Sequence, residues 1–274
     1  MTRVWTTAAS AGAAVCLVCV SGAAGQISGF GDYVTNWRYQ QLDLGQGFAP
    51  SGNGIRLTTV AGGEQYRSIF NVNRQGINQF VASFSLRATT VPFGSSGQGV
   101  TFVLFTSATA PNGTLSGGNY GAYGYSQYAG SSTWNALRGS VGVVMQTPST
   151  SVASAAGVYT NGLIGGVVPS AAPVNFGVDQ PIDVRIRYNQ PGDLQSFLYV
   201  SFTNRTTGAT FSPDPTFINI AGVLGAQDAF VGFTSRAESS QFIISDFSFG
   251  TIPTPSAAAV LGLGGLMAFR RRRA

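Results

Sequence analysis

Histidine and lysine are absent from the 274 residues, and cysteine occurs only as Cys16 and Cys19. Each absence removes a class of chemistry. Without His there is no imidazole base for a Ser nucleophile and no imidazole ligand for a transition metal. Without Lys there is no Ser/Lys pair. Both cysteines lie in an apolar N-terminal stretch, so the body of the chain has neither a disulfide framework nor a thiol nucleophile. Charge is scarce as well, at 9% of residues. Arg3 and the run Arg270, Arg271, Arg272 and Arg273 lie outside the body; between Gln26 and Gly250 ten Arg face ten Asp or Glu. The body is therefore neutral although the chain carries +5. It offers no basic face for nucleic acid. The acids are scattered singly. No two stand at i and i+2 or i+4 on one predicted strand, where glycoside hydrolysis would need carboxylates about 5 to 10 Å apart. No enzymatic activity, no catalytic residue and no cofactor are expected.

What is present is glycine, with 37 residues, and aromatic side chains, at 12%. Short runs separated by turn residues dominate from residue 54 onward. Phe80, Ala82, Phe84 and Leu86 alternate with Ser83, Ser85 and Arg87. Ile182, Val184, Ile186 and Tyr188 alternate with Asp183, Arg185 and Arg187. Period two with one covered face is a strand signature. Gly99 to Phe105 and Ser140 to Thr147 are instead nearly continuous apolar runs, as expected for strands in the middle of a sandwich. Further strands are expected at 54–60, 66–71, 196–202, 229–235 and 241–249, with a short one from Gly157 to Tyr159. Pro191-Gly192 marks a hairpin turn. No segment of the body has helical periodicity, and the pattern as a whole predicts an all-β sandwich over 26–250.

The two ends read as addresses. Arg3, an apolar stretch from Ala8 to Val20 and the small residues Ser21 to Gly25 predict a signal peptide over 1–25. At the other end Pro253-Thr254-Pro255 leads into thirteen apolar residues, Ala257 to Phe269, and then into the four arginines. As a helix that stretch spans about 20 Å. The segment 251–274 resembles the PEP-CTERM sorting signal of Gram-negative bacteria, with Thr254 where that family usually has Glu. The resemblance implies a C-terminal apolar sorting helix, exosortase as a partner, transient inner-membrane anchoring through that helix, and a final place at the cell surface or outside the cell.

The body resembles a legume-type (L-type) lectin domain. Asn53 to Thr58, Phe80 to Leu86, Gly97 to Leu104, the Gly/Tyr-rich Gly117 to Gly124, Ser140 to Thr147 and the pair Phe230 to Ser235 with Phe242 to Gly250 follow that family's motifs in order. The resemblance implies a concanavalin A-like jelly-roll β-sandwich. It also locates what is missing. The family's metal ligands begin with a Glu and an Asp on the strand matched by Ser140 to Thr147, and those positions here hold Val144 and Gln146. The family's sugar-binding Asp is Gln98. The resemblance thus implies a lectin without its metal. The candidate carbohydrate rim is Gln98, Gly118, Asn119, Tyr120, Tyr123 and Glu238, set on neighbouring loops, with a glycan or exopolysaccharide as partner. Two blander readings stand beside it. Tyr120, Tyr123 and Tyr125 pack the glycine-rich loop onto the sandwich, or the whole body is a matrix scaffold with no ligand site. The ten body arginines read as solvated strand faces.

Overall fold

The computed structural model describes residues 26–252, excluding 32, 42–48, 52, 61, 62, 64, 91–97, 107–124, 126–136, 138, 149–152, 165–169, 190–194 and 239. Two antiparallel sheets face one another. The first has nine strands. In chain order they are β1 (Ile27–Ser28), β3 (Ala49–Ser51), β4 (Gly54–Arg56), β7 (Phe80–Thr90), β11 (Ile182–Tyr188), β12 (Phe197–Asn204), β13 (Thr210–Phe211), β14 (Thr216–Phe217) and β16 (Ser240–Thr251). Their path across the sheet is β13-β12-β11-β7-β16-β4-β3, with β14 on β12 and β1 on β16. The second sheet has seven strands: β2 (Trp37–Gln41), β5 (Gln65–Asn71), β6 (Gln75–Gly76), β8 (Gly99–Phe105), β9 (Ser140–Gln146), β10 (Ala155–Thr160) and β15 (Asp228–Ala237). They run β10-β9-β8-β15-β5-β2, with β6 on β15. Runs of consecutive strands, β13-β12-β11, β4-β3 and β10-β9-β8, are joined by pairings between strands far apart in sequence, such as β7 with β16 and β8 with β15, as in a jelly roll.

The alternating strands behave as their pattern dictates. In β11 the apolar positions are buried and the charged ones half-buried or exposed. β12 alternates likewise. Strands β5, β8 and β9 are buried at every position. The core between the sheets is aromatic. Phe233 of β15 stands edge-on to Phe84 of β7 at 4.9 Å and to Phe247 of β16 at 5.1 Å, with Phe102 of β8 at 5.7 Å. Phe30 and Trp37 close one end at 4.8 Å. Burying each such ring contributes about 1.5–3 kcal/mol, and edge-on pairing adds about 0.5–1.5 kcal/mol.

Strand β16 carries a bulge. Its partners on β7 step from Ser85 to Ser83 while β16 advances from Ser245 to Ser248. Asp246, at φ 53°, is the residue there in the left-handed region. Before the bulge Phe242 and Ile244 face the core; after it Phe247 and Phe249 do. Setting the extra residue aside in the bulge keeps Phe247 and Phe249 inward, where a uniform strand through it would have turned them out.

Among the described residues the helices are α1 (Tyr33–Asn36) and α2 (Ile220–Leu224). Among the described residues no helix is long and apolar enough to cross a membrane. This corrects the expected fold class: the architecture is an all-β sandwich without a membrane-spanning sorting helix among those residues. The expectations that hung on that helix are not retained: transient inner-membrane anchoring, exosortase as a partner, and sorting to the surface. The sorting motif (Pro253, Thr254, Pro255, Arg270, Arg271, Arg272 and Arg273) and the signal segment 1–25 lie outside the described residues.

Candidate functional site

The outer face of the seven-stranded sheet is where the sequence points. Residues opposite one another across a ladder share a face. One row on this face runs Phe70, Gly232, Val103, Gly142 and Tyr159; the next runs Ser68, Thr234, Thr101, Val144 and Gly157; a third runs Tyr66, Arg236, Gly99, Gln146 and Ala155. The face is thus split. One part is apolar and the other is polar.

The apolar part is a second core. Phe70, Val103, Phe105, Val144, Tyr125, Leu137 and Ala155 form one buried cluster, with Phe230 and Ile164 packed against it. Tyr125 lies against Gly142, where a Cβ would come within 2.8 Å of the ring. Its hydroxyl donates to the Tyr159 carbonyl at 3.0 Å. Ser140 Oγ stands 3.1 Å from that hydroxyl and donates to the Leu137 carbonyl. Burial pushes the Tyr125 phenol up to about 12, so it remains a neutral donor.

Val144 is 0% exposed inside this cluster and Gln146 is 4% exposed beside it. These are the two positions that the lectin resemblance assigns to metal ligation. Divalent cations need several carboxylate or carbonyl oxygens at about 2.0–2.6 Å. A valine side chain supplies none. Among the described residues no group of three His, Cys, Asp or Glu is placed to hold a metal. Val144 and Gln146 thus offer no carboxylate to a metal ion.

The polar part leads to the corner where the chain passes from β15 to β16, and so from one sheet to the other. Gln98 and Glu238 meet here. The Glu238 N–H donates to Gln98 Oε1 at 3.0 Å, and Ser240 Oγ donates to the same oxygen at 2.9 Å. The Gln98 carbonyl accepts from the Thr147 N–H at 3.1 Å. Gln98 is 3% exposed. It braces the corner from both its side chain and its backbone. The Glu238 carboxylate is 2.8 Å from the Arg236 guanidinium, whose Nε is 3.3 Å from the Tyr66 hydroxyl. The structure therefore brings Gln98 and Glu238 together. Gly118, Asn119, Tyr120 and Tyr123 lie outside the described residues.

Arg236 and Arg67 are buried, contrary to the reading of the body arginines as solvated. Strand parity puts Arg236 with Thr234 and Gly232 on the outer face, but nothing local says that this face is covered. A second feature also escapes inspection strand by strand. Asp183 of β11 and Asp246 of the β16 bulge are carboxylates from different strands, and both bind Arg205, at 2.7 and 3.1 Å. The guanidinium fills the space between them, where a scissile bond would have to lie.

No family model and no curated protein matches the chain. Solved structures do. The seed lectin of Lotus tetragonolobus matches with a TM-score of 0.59 at 17% identity, over 80% of this chain and 94% of that one. A lectin from Bauhinia forficata in complex with GalNAc matches with 0.63 at 13% identity, over 84% and 99%. Lectin I-B4 from Griffonia simplicifolia, in a metal-free form, matches with 0.57 at 12% identity, over 84% and 100%. The fold is a legume-lectin-like jelly roll.

Proposed function

We propose that residues 26–250 form a non-enzymatic carbohydrate-binding module of lectin form that holds glycan weakly and without a metal ion. The observation that carries this reading is Val144, fully buried in an apolar cluster at a position where the resemblance calls for a metal-binding carboxylate. Packing takes over the bracing that an ion supplies. The proposed rim is Glu238 with Gly118, Asn119, Tyr120 and Tyr123, and Gln98 acts as a positioning residue that fixes the corner carrying Glu238. Tyrosine rings supply apolar faces for a sugar, and amides and backbone groups supply hydrogen bonds.

A glycan array with the purified chain, run with and without EDTA, tests the reading. The expected result is binding to a subset of glycans at equal strength in both arms. Loss of binding in EDTA would overturn metal independence. The second reading, a scaffold with no ligand site, is favoured by the internal engagement of both Gln98 and Glu238. Absence of binding to every glycan would select it.

A further inference from the structure

A groove of about 630 Å³ opens along the side of the sandwich, where the edge strand β10 of one sheet lies beside β13 and β14 of the other. That volume falls within the range of roughly 300–1,000 Å³ typical of small-molecule sites. Strand β10 is tied near its ends by the bridges Ala155–Ser170 and Thr160–Leu163. Between them the Ala156 to Tyr159 stretch forms one wall. The Tyr159 ring lies over Gly157, where a Cβ would meet it at 2.9 Å. Phe211 and Pro213, both half-buried, stand on the opposite wall. The polar groups are Ser170, Ser212, Thr216 and Asp214.

Asp214 decides the chemistry. It is exposed, and it makes no ion pair or hydrogen bond with the described residues, unlike Asp179, Asp183, Asp228 and Asp246, each of which is bound to an arginine. Among the described residues no cationic side chain lines the groove. Burial also raises the Tyr159 phenol pKa, which keeps its hydroxyl a neutral donor. Two aromatic rings and a proline ring offer apolar surface to the carbon face of a ring. The Asp214 carboxylate and the hydroxyls of Tyr159, Ser170, Ser212 and Thr216 offer acceptors and donors to its hydroxyl edge. An anionic sugar would meet the Asp214 charge with nothing to offset it.

We infer that this side groove is a second saccharide site, for a neutral sugar unit, with Asp214 accepting hydrogen bonds from sugar hydroxyls and Tyr159 and Phe211 flanking the ring. The site is separate from the loop rim and does not depend on it.

An NMR titration of the ¹⁵N-labelled full chain with maltohexaose, cellohexaose and chitohexaose tests it. Saturable shifts at the amides of Gly157, Tyr159, Phe211 and Asp214 with at least one of the three are expected. Asp214→Ala and Phe211→Ala are expected to weaken that binding about tenfold. Asp214 holds no partner among the described residues, so its variant is expected to keep the fold, which a thermal melt verifies. Shifts confined to the Gln98–Glu238 corner would overturn the groove and leave the rim standing. Shifts confined to the groove would do the reverse. Binding equally strong in both groove variants, or no shift with any of the three sugars, would overturn the side site.

Discussion

The two sheets teach different lessons about the same alphabet. The nine-stranded sheet is covered on one face, and the outer side of β11 carries Asp183, Arg185 and Arg187, half-buried or exposed. The seven-stranded sheet is covered on both faces, and its middle strands are buried at every position. Substitutions on the outer face of the first meet water. Substitutions on the outer face of the second meet a packed cluster. The contrast can be broken or sharpened by experiment.

The largest effect is expected at Val144. Val144→Asp would bury an unpaired carboxylate among Phe105, Val103 and Tyr125, at a cost of about 3–5 kcal/mol. Urea unfolding measures it, and a loss below 1 kcal/mol would show that the face is wet. Raising the pH should come next. The Tyr125 phenol is pushed up to about 12 by burial, whereas the unfolded chain titrates near 10. Its contribution is present in full below pH 10 and is lost as pH rises towards 12, because the unfolded state releases the proton first. The loss is about 3 kcal/mol, and Tyr125→Phe should abolish that slope. Gly142→Ala should cost about 1–3 kcal/mol, since the new methyl group meets the Tyr125 ring and Thr101. The smallest effect is expected on the other sheet. Hydrogen bonds from Arg87 and Thr89 hold the Asp179 carboxyl below its usual range. Its contribution is present above the unfolded pKa and is lost as the pH falls below about 3.8. The pair is half-exposed, so Asp179→Asn should cost less than about 1 kcal/mol. A larger loss in a thermal melt would mean that the two faces are less different than their burial indicates.

The same contrast explains what can be read from sequence. Strands β7 and β11 announce themselves through alternation, and β8 and β9 through unbroken apolar runs. The order of the motifs leads to the lectin-like sandwich. The two-residue strands β1, β6, β13 and β14 are too short to carry a period. Helix α2 is a single turn, started by Asn219 accepting from the Gly222 N–H and ended by Gly225; five residues give no helical moment to detect. At the candidate site, Val144 and Gln146 are legible as missing carboxylates, but their replacement by a second core is not, because Tyr125 and Leu137 lie upstream of β9 outside any strand and carry no period. Gln98 was visible as a candidate. That both its oxygens face inward is a property of the corner and not of the residue. The side groove and the sharing of Arg205 by two aspartates exist only through strand neighbours that no local pattern specifies.

The bulge in β16 acts as a frameshift in the side-chain code. Strand sequence is read in steps of two, and one additional residue changes which letters are spoken inward. Deleting Asp246 is therefore a different kind of edit from trimming its side chain. Trimming removes one hold on Arg205. Deletion removes the bulge itself and leaves a strand of uniform period with Phe247 and Phe249 still inward, whereas straightening the strand with Asp246 in place would turn Asp246 and Ser248 towards the centre of the sandwich. The residue that the bulge sets aside is also the one gripped by Arg205, so the punctuation mark is fastened to the page.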